Sequence, residues 1–472
     1  MKNREKKLVK NTIIISIGKI CTSMVTFLLL PLYTNILTPA DYGIVDLLNT
    51  LIMLLFPIIT FQLEKGAFRE LIECREDEKK KKIIISSTFY LTIIQCLIFG
   101  IIFYIGGNFF NSQYKIFLAT NVIAYIFLSL LQQFARGLDK LPVFSFSSFL
   151  SAFSIIVFNI VFLVVLKMGV TGMLLGTLLG YIIATIYVFF ALKLFKYLSI
   201  KQCSKKVLKA LLKYSIPLIP NTLAWWVFSA SDRVIVSTIL GVDQNGILSA
   251  SLKFSAIVTT IYNIFDTSWI ESITVCINDN DISEYFSKMF NSVLKVFISF
   301  SMLLIVSMPI VFPIMINKEY SDGYKLIPIT LISAVFNVAQ GLIAVIYAAK
   351  KNTKSIALTS IVSAIVNIVV HLVLIKFIGL YAAVISTLIA YILISVNRIN
   401  DVNKKYFKIN LDKKIILCIP ITCIILILYN INNIYTNIAN IVMTSIFVIL
   451  FNKNSIKIIY KIFKKKIKRE DL

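Results

Sequence analysis

The chain contains a ladder of long apolar runs, and the loops between them alternate between basic and nearly uncharged. Each run has about the 20 residues that an α-helix needs to cross a bilayer. An excess of Lys and Arg in every second loop sets which side of the membrane each loop faces. This pattern predicts a polytopic membrane protein whose amino and carboxyl termini are both cytoplasmic.

We predict about fourteen spans, with twelve as the alternative. The predicted spans are residues 12–36, 43–64, 83–106, 114–134, 143–166, 170–192, 214–240, 244–270, 289–316, 325–348, 355–376, 379–397, 415–430 and 434–452. With the amino terminus inside, 40 of the 48 Lys and Arg residues lie on the inner side and 5 on the outer side. Such a split supports this register of spans.

The net charge of +25 does not indicate a nucleic-acid-binding protein here, because the basic residues lie between apolar runs that make the chain 58% hydrophobic. The basic side is expected to attract anionic membrane lipids instead. The 7 cysteines show no metal-ligand spacing, and no phosphate-binding Gly loop of an ATPase is present. We therefore expect no cofactor, no metal and no ATP hydrolysis by this chain.

The two halves of the chain are similar to each other. A shift of 203 residues superposes Lys10, Ile36, Leu37, Gly43 and Ile44 on Lys213, Ile239, Leu240, Gly246 and Ile247. A shift of 210 residues superposes Gly169, Thr177, Leu178, Tyr181 and Ile182 on Gly379, Thr387, Leu388, Tyr391 and Ile392. We predict a six-helix lobe at 1–198, a second at 199–405, and two further helices with a basic cytoplasmic tail at 406–472. Parallel repeats of this kind bind substrates between them.

Charged residues inside the predicted spans that open the two halves include Lys19, Asp46, Asp232, Arg233 and Lys253. A charge at the bilayer centre costs about 2.5–3.5 kcal/mol, so it usually faces a bundle interior or water. If the halves face each other, Lys19, Arg233 and Lys253 form a cationic cavity suited to phosphate or pyrophosphate. Two alternatives stay open: Arg233 pairs with Asp232 or Asp46, and Lys19 reaches the inner interface.

A second charged cluster, formed by Glu64, Lys65, Arg69 and Glu70, continues span 2 into the cytoplasm. Asp266 and Glu271, near the inner end of span 8, are positioned to pair with it as an inner gate. The alternative is a solvated helix end with pairs along the helix.

Three further side chains have open roles. His371 is the only histidine and falls within span 11, where it either carries a coupling proton or is a hydrogen-bonded interior residue. Trp225 and Trp226 lie too far inside span 7 for an interfacial belt, so they either stack on sugars or pack against neighbouring helices.

Short motifs stand at three places in the chain. They are Leu30-Pro31-Leu32 through Leu37-Thr38-Pro39-Ala40-Asp41-Tyr42-Gly43, Ala135-Arg136-Gly137-Leu138, and Pro217 to Lys253 with its Trp225-Trp226 and Ser231-Asp232-Arg233. Together they resemble the oligosaccharide flippases of the multidrug/oligosaccharidyl-lipid/polysaccharide exporter superfamily. The resemblance implies a V-shaped, MATE-like bundle of two six-helix lobes that alternates between inward-open and outward-open forms. It also implies a cargo whose sugar crosses through the cavity while its polyprenyl tail stays in lipid.

Taken together, the sequence favours a flippase in a bacterial cell membrane that moves undecaprenyl-pyrophosphate-linked oligosaccharide units from inner to outer leaflet. Its product serves O-antigen, capsule or exopolysaccharide assembly, with a polymerase and glycosyltransferases as expected partners. A MATE-type drug/cation antiporter is the first alternative, although acidic residues would suit its cavity better. A lipid II flippase shares the same physics. A membrane polysaccharide polymerase is disfavoured because the outer loops are short, so we do not expect an enzyme.

Overall fold

The computed structural model describes residues 27–74, 76–106, 113–350 and 352–453. All regular secondary structure in these ranges is helical, and 12 helices are long and apolar enough to cross a membrane. The all-α membrane architecture is therefore confirmed. The count of fourteen stays a prediction, because span 1 lies largely outside the described residues and the helix of span 7 is not among the 12.

The chain divides into two compact units, residues 1–246 and 247–472. The predicted lobe boundaries after residues 198 and 405 stay predictions. Each unit has its own packed interior, and the two are described separately below.

The first unit is a bundle in which neighbouring helices pack side by side. Its described helices are α1 (Leu30–Ile36), α2 (Pro39–Thr60), α3 (Leu63–Glu73), α4 (Glu78–Gly106), α5 (Lys115–Gly137), α6 (Leu141–Ile160), α7 (Gly169–Ala191), α8 (Lys205–Ser215) and α9 (Ile219–Ile239). Helix α6 packs along α7, α5 contacts both α7 and α3, and α9 lies against α2. The first residues of α10 (Val242–Cys276) also belong to this unit.

The second unit contains the rest of α10 and the remaining helices. These are α11 (Ile282–Met315), α12 (Ile327–Ala349), α13 (Thr353–Ile378), α14 (Tyr381–Lys405), α15 (Cys418–Ile431) and α16 (Ile434–Phe451). Helix α14 packs against α12 and α13, and the last two helices pack against each other and against α11.

Helix α2 begins at a capping box that is visible in the sequence Thr38-Pro39-Ala40-Asp41. The Asp41 backbone N–H donates to Thr38 Oγ1 at 3.2 Å, and the Thr38 N–H donates to Asp41 Oδ2 at 3.3 Å. Pro39 occupies the first helical position, where its missing N–H costs nothing.

The charged cluster that follows span 2 lies on a separate helix, because the chain breaks between α2 and α3. Phe61 and Gln62 both adopt left-handed backbone angles, with φ of 49° and 53°. The break is held by side chains: Gln95 Nε2 donates to Thr60 O at 3.2 Å, and Gln62 Nε2 donates to Leu218 O at 3.3 Å. The bond from Gln95 satisfies a carbonyl that the carboxyl-terminal end of α2 leaves without an intrahelical partner.

The amino-terminal ends of α2 and α10 touch through glycines. A Cβ on Gly43 would overlap Val242 O, and a Cβ on Gly246 would overlap Pro39 O. Asn245 is buried beside this contact and donates from Nδ2 to Gly43 O at 2.9 Å. The same 203-residue shift that relates the halves maps Pro39 on Val242 and Gly43 on Gly246. The close approach therefore joins repeat-equivalent positions, and only glycine allows it.

Arg398, which the charge count places in an inner loop, instead lies inside α14 with its side chain fully buried. Its Nη1 donates to Gln340 Oε1 at 2.5 Å, and its Nη2 and Nε donate to Ser360 Oγ and Thr359 Oγ1, each at 3.1 Å. Further bonds reach the backbone carbonyls of Gln340 and Ile356. The planar guanidinium thus connects α12, α13 and α14 through neutral acceptors.

Candidate functional site

The charges predicted inside span 7 form an ion pair with span 2. Arg233 on α9 approaches Asp46 on α2, with Nε 2.8 Å from Oδ2. The two side chains are 21% and 13% exposed, so both charges are mostly shielded from the surroundings. Because a pair in low dielectric offsets much of the cost of burying each charge, this arrangement keeps both ions inside the bundle. Asp46, one of the two partners left open for Arg233, is therefore an ion-pair partner of this arginine.

The ion pair belongs to a longer seam in which α2 and α9 run antiparallel. About one helical turn after Asp46, Thr50 O accepts a hydrogen bond from Trp226 Nε1 at 2.9 Å. Beyond the carboxyl-terminal end of α2, Gln62 Nε2 donates to Leu218 O. Trp226 is therefore bonded to a neighbouring helix, whereas Trp225 is 41% exposed. A sugar-stacking role for either ring stays a prediction. Asp232 lies beside Arg233 on α9 and is partly buried.

The other candidates in the second unit lie on two helices. Lys253 is partly buried on α10, and His371 is fully buried on α13. Asp266 accepts a hydrogen bond from the Tyr262 hydroxyl at 2.8 Å one turn earlier on α10, and Glu271 is exposed. Lys19 lies outside the described residues. The meeting of Lys19, Arg233 and Lys253 in one cavity, and the gate that joins Asp266 and Glu271 to α3, therefore stay predictions.

Arginines around α3 stack on aromatic rings. The Arg69 guanidinium lies 4.5 Å from the centre of the Tyr214 ring, and its Nε is 3.3 Å from Glu73 Oε1. Arg136, at the end of α5, lies 4.5 Å from the Phe68 ring and also faces Phe144. Cation–π contacts of this kind fix α3 against α5 and α8, so this short helix has a defined position next to the break after α2.

Glu64 lies in the first turn of α3 and is buried, with 3% of its surface exposed. Helix α3 is not among the 12 apolar spans. Burial raises the pKa of the Glu64 carboxyl from 4.5 to about 7, although the neighbouring Lys65 favours the ionised form. Tyr125 on α5 also interacts with this carboxyl. Glu64, which is one of the residues predicted to form an inner gate, can therefore change its charge near neutral pH.

We expect the Glu64→Gln substitution to remove a pH dependence of stability. Because the folded-state pKa is raised, Glu64 contributes stability that is fully present below pH 4.5 and is lost as the pH rises through about 7. A shift of this size corresponds to about 3 kcal/mol between the two limits. The thermal unfolding midpoint of the protein in lipid nanodiscs, measured from pH 5 to 8, should fall with pH in the wild type and much less in the variant.

The matched control is Glu73→Gln, which changes an exposed carboxyl on the same helix. It should keep the wild-type pH profile. Identical profiles for the wild type and Glu64→Gln would show that this carboxyl is ionised at all of these pH values.

Comparison with known proteins places the chain in a family. A family model described as "Polysaccharide biosynthesis protein" matches residues 8–270, which is more than half of the chain. The chain belongs to this family. Among curated proteins, no sequence matches it.

Solved structures with the same fold include transporters and a flippase. The lipid II flippase MurJ in an inward closed conformation has a TM-score of 0.72 at 16% identity, covering 96% of this chain and 100% of that one. An inward-facing MATE family multidrug resistance transporter of the MOP superfamily has a TM-score of 0.67 at 13% identity, covering 82% and 98%. A MOP superfamily transporter from Pyrococcus furiosus, described as having a binding pocket of reversed polarity, has a TM-score of 0.52 at 13% identity, covering 84% and 96%.

This polysaccharide biosynthesis family member therefore has a MATE- and MurJ-like fold, as the sequence motifs imply. The roles of Arg398 and of the left-handed pair Phe61 and Gln62 do not follow from the sequence patterns. The only sequence signal for Arg398 is its place just after an apolar run, which equally suits a loop residue.

Proposed function

We propose that the protein is a flippase for undecaprenyl-pyrophosphate-linked oligosaccharide units used in surface polysaccharide assembly. The observation that supports this most is the match to the polysaccharide biosynthesis family, in a chain with the fold of a lipid II flippase. Such a cargo has a polar sugar and a doubly charged linker, and both must cross hydrocarbon. The protein lowers that cost by replacing water with its own polar and cationic groups.

In this proposal Lys253 provides a mobile positive charge for the pyrophosphate, together with Lys19. Arg233 joins them only when its pair with Asp46 opens, because the paired guanidinium carries little net field. Alternation between inward-open and outward-open forms would then exchange Asp46 for the cargo's phosphate at the same arginine. No bond of the cargo is broken, so the protein acts as a transporter.

The proposed location is the bacterial inner membrane, with both termini in the cytoplasm. The excess of basic residues in alternate loops supports this orientation and favours contact with anionic lipids on the inner side. A polymerase and glycosyltransferases are the proposed partners, since they would consume and supply the cargo.

A lipid II flippase is the second candidate. It is favoured by the alignment with MurJ, which spans 96% of this chain and all of that one. A drug/cation antiporter has less support, because the membrane carboxylate Asp46 is already paired with Arg233.

We expect Lys253→Glu to abolish surface polymer in a strain that lacks its own copy of the gene, with unchanged amounts of membrane-inserted protein. The reversed charge would repel pyrophosphate at the point where the proposal needs attraction. Surface polymer is measured by immunoblot, and the protein by a carboxyl-terminal tag. A strain that depends on a lipid II flippase provides the second readout and separates the two cargo classes.

Lys376→Glu is the matched control, because Lys376 is exposed at the end of α13. Its polymer level should equal that of the wild type. Normal polymer in Lys253→Glu would remove this lysine from the mechanism, and rescue of the lipid II strain alone would replace the proposed cargo by lipid II.

A further inference from the structure

The first unit contains a half-open cavity of about 280 Å³ that is lined by residues of α1, α5, α6 and α7. Its polar lining comes from Tyr33, Tyr125, Gln132, Ser148, Ser151 and Tyr181, and the rest is aliphatic. No charged side chain contributes to this lining. Ligand sites that hold drug-sized molecules have volumes of about 300–1,000 Å³, so this cavity suits a ligand of about one ring.

Part of the polar lining is fixed by bonds within the protein. The Tyr33 hydroxyl accepts from Asn159 Nδ2 at 2.8 Å. The Gln132 amide group donates to Ser147 Oγ at 3.1 Å and Ser148 Oγ at 3.3 Å. These bonds hold the tyrosine and the glutamine in place, so the cavity is formed before any ligand enters.

Other polar atoms of the lining have no such bond. Among the described residues, no hydrogen bond is made by the hydroxyls of Tyr125, Tyr181 and Ser151, or by Gln132 Oε1. None of these four atoms is completely enclosed by protein. Three hydroxyls and one acceptor are therefore accessible from the cavity, where water or a ligand rich in hydroxyls can bond to them.

Aromatic rings complete the site. The rings of Tyr125 and Tyr181 lie 5.5 Å apart between centres, and Phe56 supports Tyr125 at 5.1 Å in an edge-to-face arrangement. Such supported rings offer an apolar face next to a hydroxyl. A sugar ring has the same two properties, with C–H faces and hydroxyls around its edge. An ionic ligand would find no opposite charge in this lining.

We propose that this cavity binds one neutral sugar ring of the cargo's head group during translocation. This inference rests on the proposed function and names the part of the cargo that the first unit recognises. It assigns the charged linker and the sugar to different places: the linker to the lysines, and one sugar to the tyrosine-lined cavity.

The test uses Tyr125→Phe and Tyr181→Phe, which remove each hydroxyl and keep its ring. The purified protein is reconstituted in vesicles, and two kinds of fluorescent probe are compared. The first kind is a polyprenyl pyrophosphate bearing one glucose, galactose or N-acetylglucosamine, and the second is the same lipid without sugar. We expect each variant to move at least one sugar-bearing probe about fivefold more slowly than the wild type, and the sugar-free probe at the wild-type rate.

Tyr187→Phe is the control, since Tyr187 lies on the same helix α7 and packs on Phe146 at 5.0 Å without lining the cavity. Loss confined to the sugar-bearing probes supports the inference. With an active wild type, any other pattern overturns it: equal loss for both kinds of probe, no loss, or a wild type that moves only the sugar-free lipid. A wild type that moves no probe overturns the proposed function itself.

Discussion

Gly43→Ala is expected to destabilise the protein by about 2–4 kcal/mol, through overpacking and the loss of one hydrogen bond. The added Cβ would overlap Val242 O and lie 2.8 Å from Gly246 N. Backbone atoms on both sides cannot rotate away as a side chain would, so α2 and α10 must separate at their amino-terminal ends. That separation would stretch the bond from Asn245 Nδ2 to Gly43 O. The measurement is the thermal unfolding midpoint in nanodiscs.

Gly100→Ala is the matched control for this experiment. Gly100 also lies in a membrane helix, α4, but no atom comes within 4 Å of its added Cβ. Alanine there should be neutral or stabilise the protein by about 0.5–1 kcal/mol, since it lowers the entropy lost on folding. If Gly43→Ala and Gly100→Ala have the same midpoint, the glycine contact does not hold the two helices together.

The second large effect is expected for Arg398→Met, which should cost about 3 kcal/mol or more because buried acceptors on α12 and α13 lose their donor. Five hydrogen bonds from one guanidinium disappear, while a methionine fills only part of the volume. The stability of Arg398→Lys should lie between that of Arg398→Met and that of the wild type. An ammonium has three donors and cannot reach acceptors on both helices at once. The readout is again the unfolding midpoint.

Lys404→Met provides the comparison on the same helix, since Lys404 is exposed near the end of α14. Its effect should stay within about 0.5 kcal/mol. An equally small effect of Arg398→Met would mean that water, and not the protein, satisfies these acceptors.

The positions of most helices could be predicted from the sequence because a long apolar run has one stable arrangement in a bilayer. The last two predicted spans, 415–430 and 434–452, correspond to Cys418–Ile431 and Ile434–Phe451 within three residues. Backbone groups have no water to bond in the bilayer core, so such runs form helices whatever surrounds them.

The break after α2 could not be predicted in the same way. No glycine or proline marks it, and Phe61 and Gln62 are unusual residues for a left-handed backbone. Their conformation depends on bonds from Gln95 and to Leu218, which lie far away in sequence. The burial of Arg398 could not be predicted for the same reason. Its acceptors come from two other helices, so its position in the sequence suits a loop equally well.

The candidate site was predicted as a set of residues and not as a set of contacts. Charged residues are rare in apolar runs, and this was enough to select Asp46 and Arg233. A charge inside the membrane is costly, so it usually has a partner or a function. Which partner Arg233 chooses depends on the face that α9 presents to α2. Helical periodicity gives the faces of one helix but not the register of two.

The glycine contact is reciprocal. In a symmetric homodimer, residue i of one copy meets residue j of the other, and j of the first meets i of the second. Pro39 with Gly246 and Val242 with Gly43 follow the same rule within one chain, once the later residues are renumbered by 203. A side chain larger than glycine at either position would therefore meet the same obstacle, the backbone carbonyl four residues before the partner glycine.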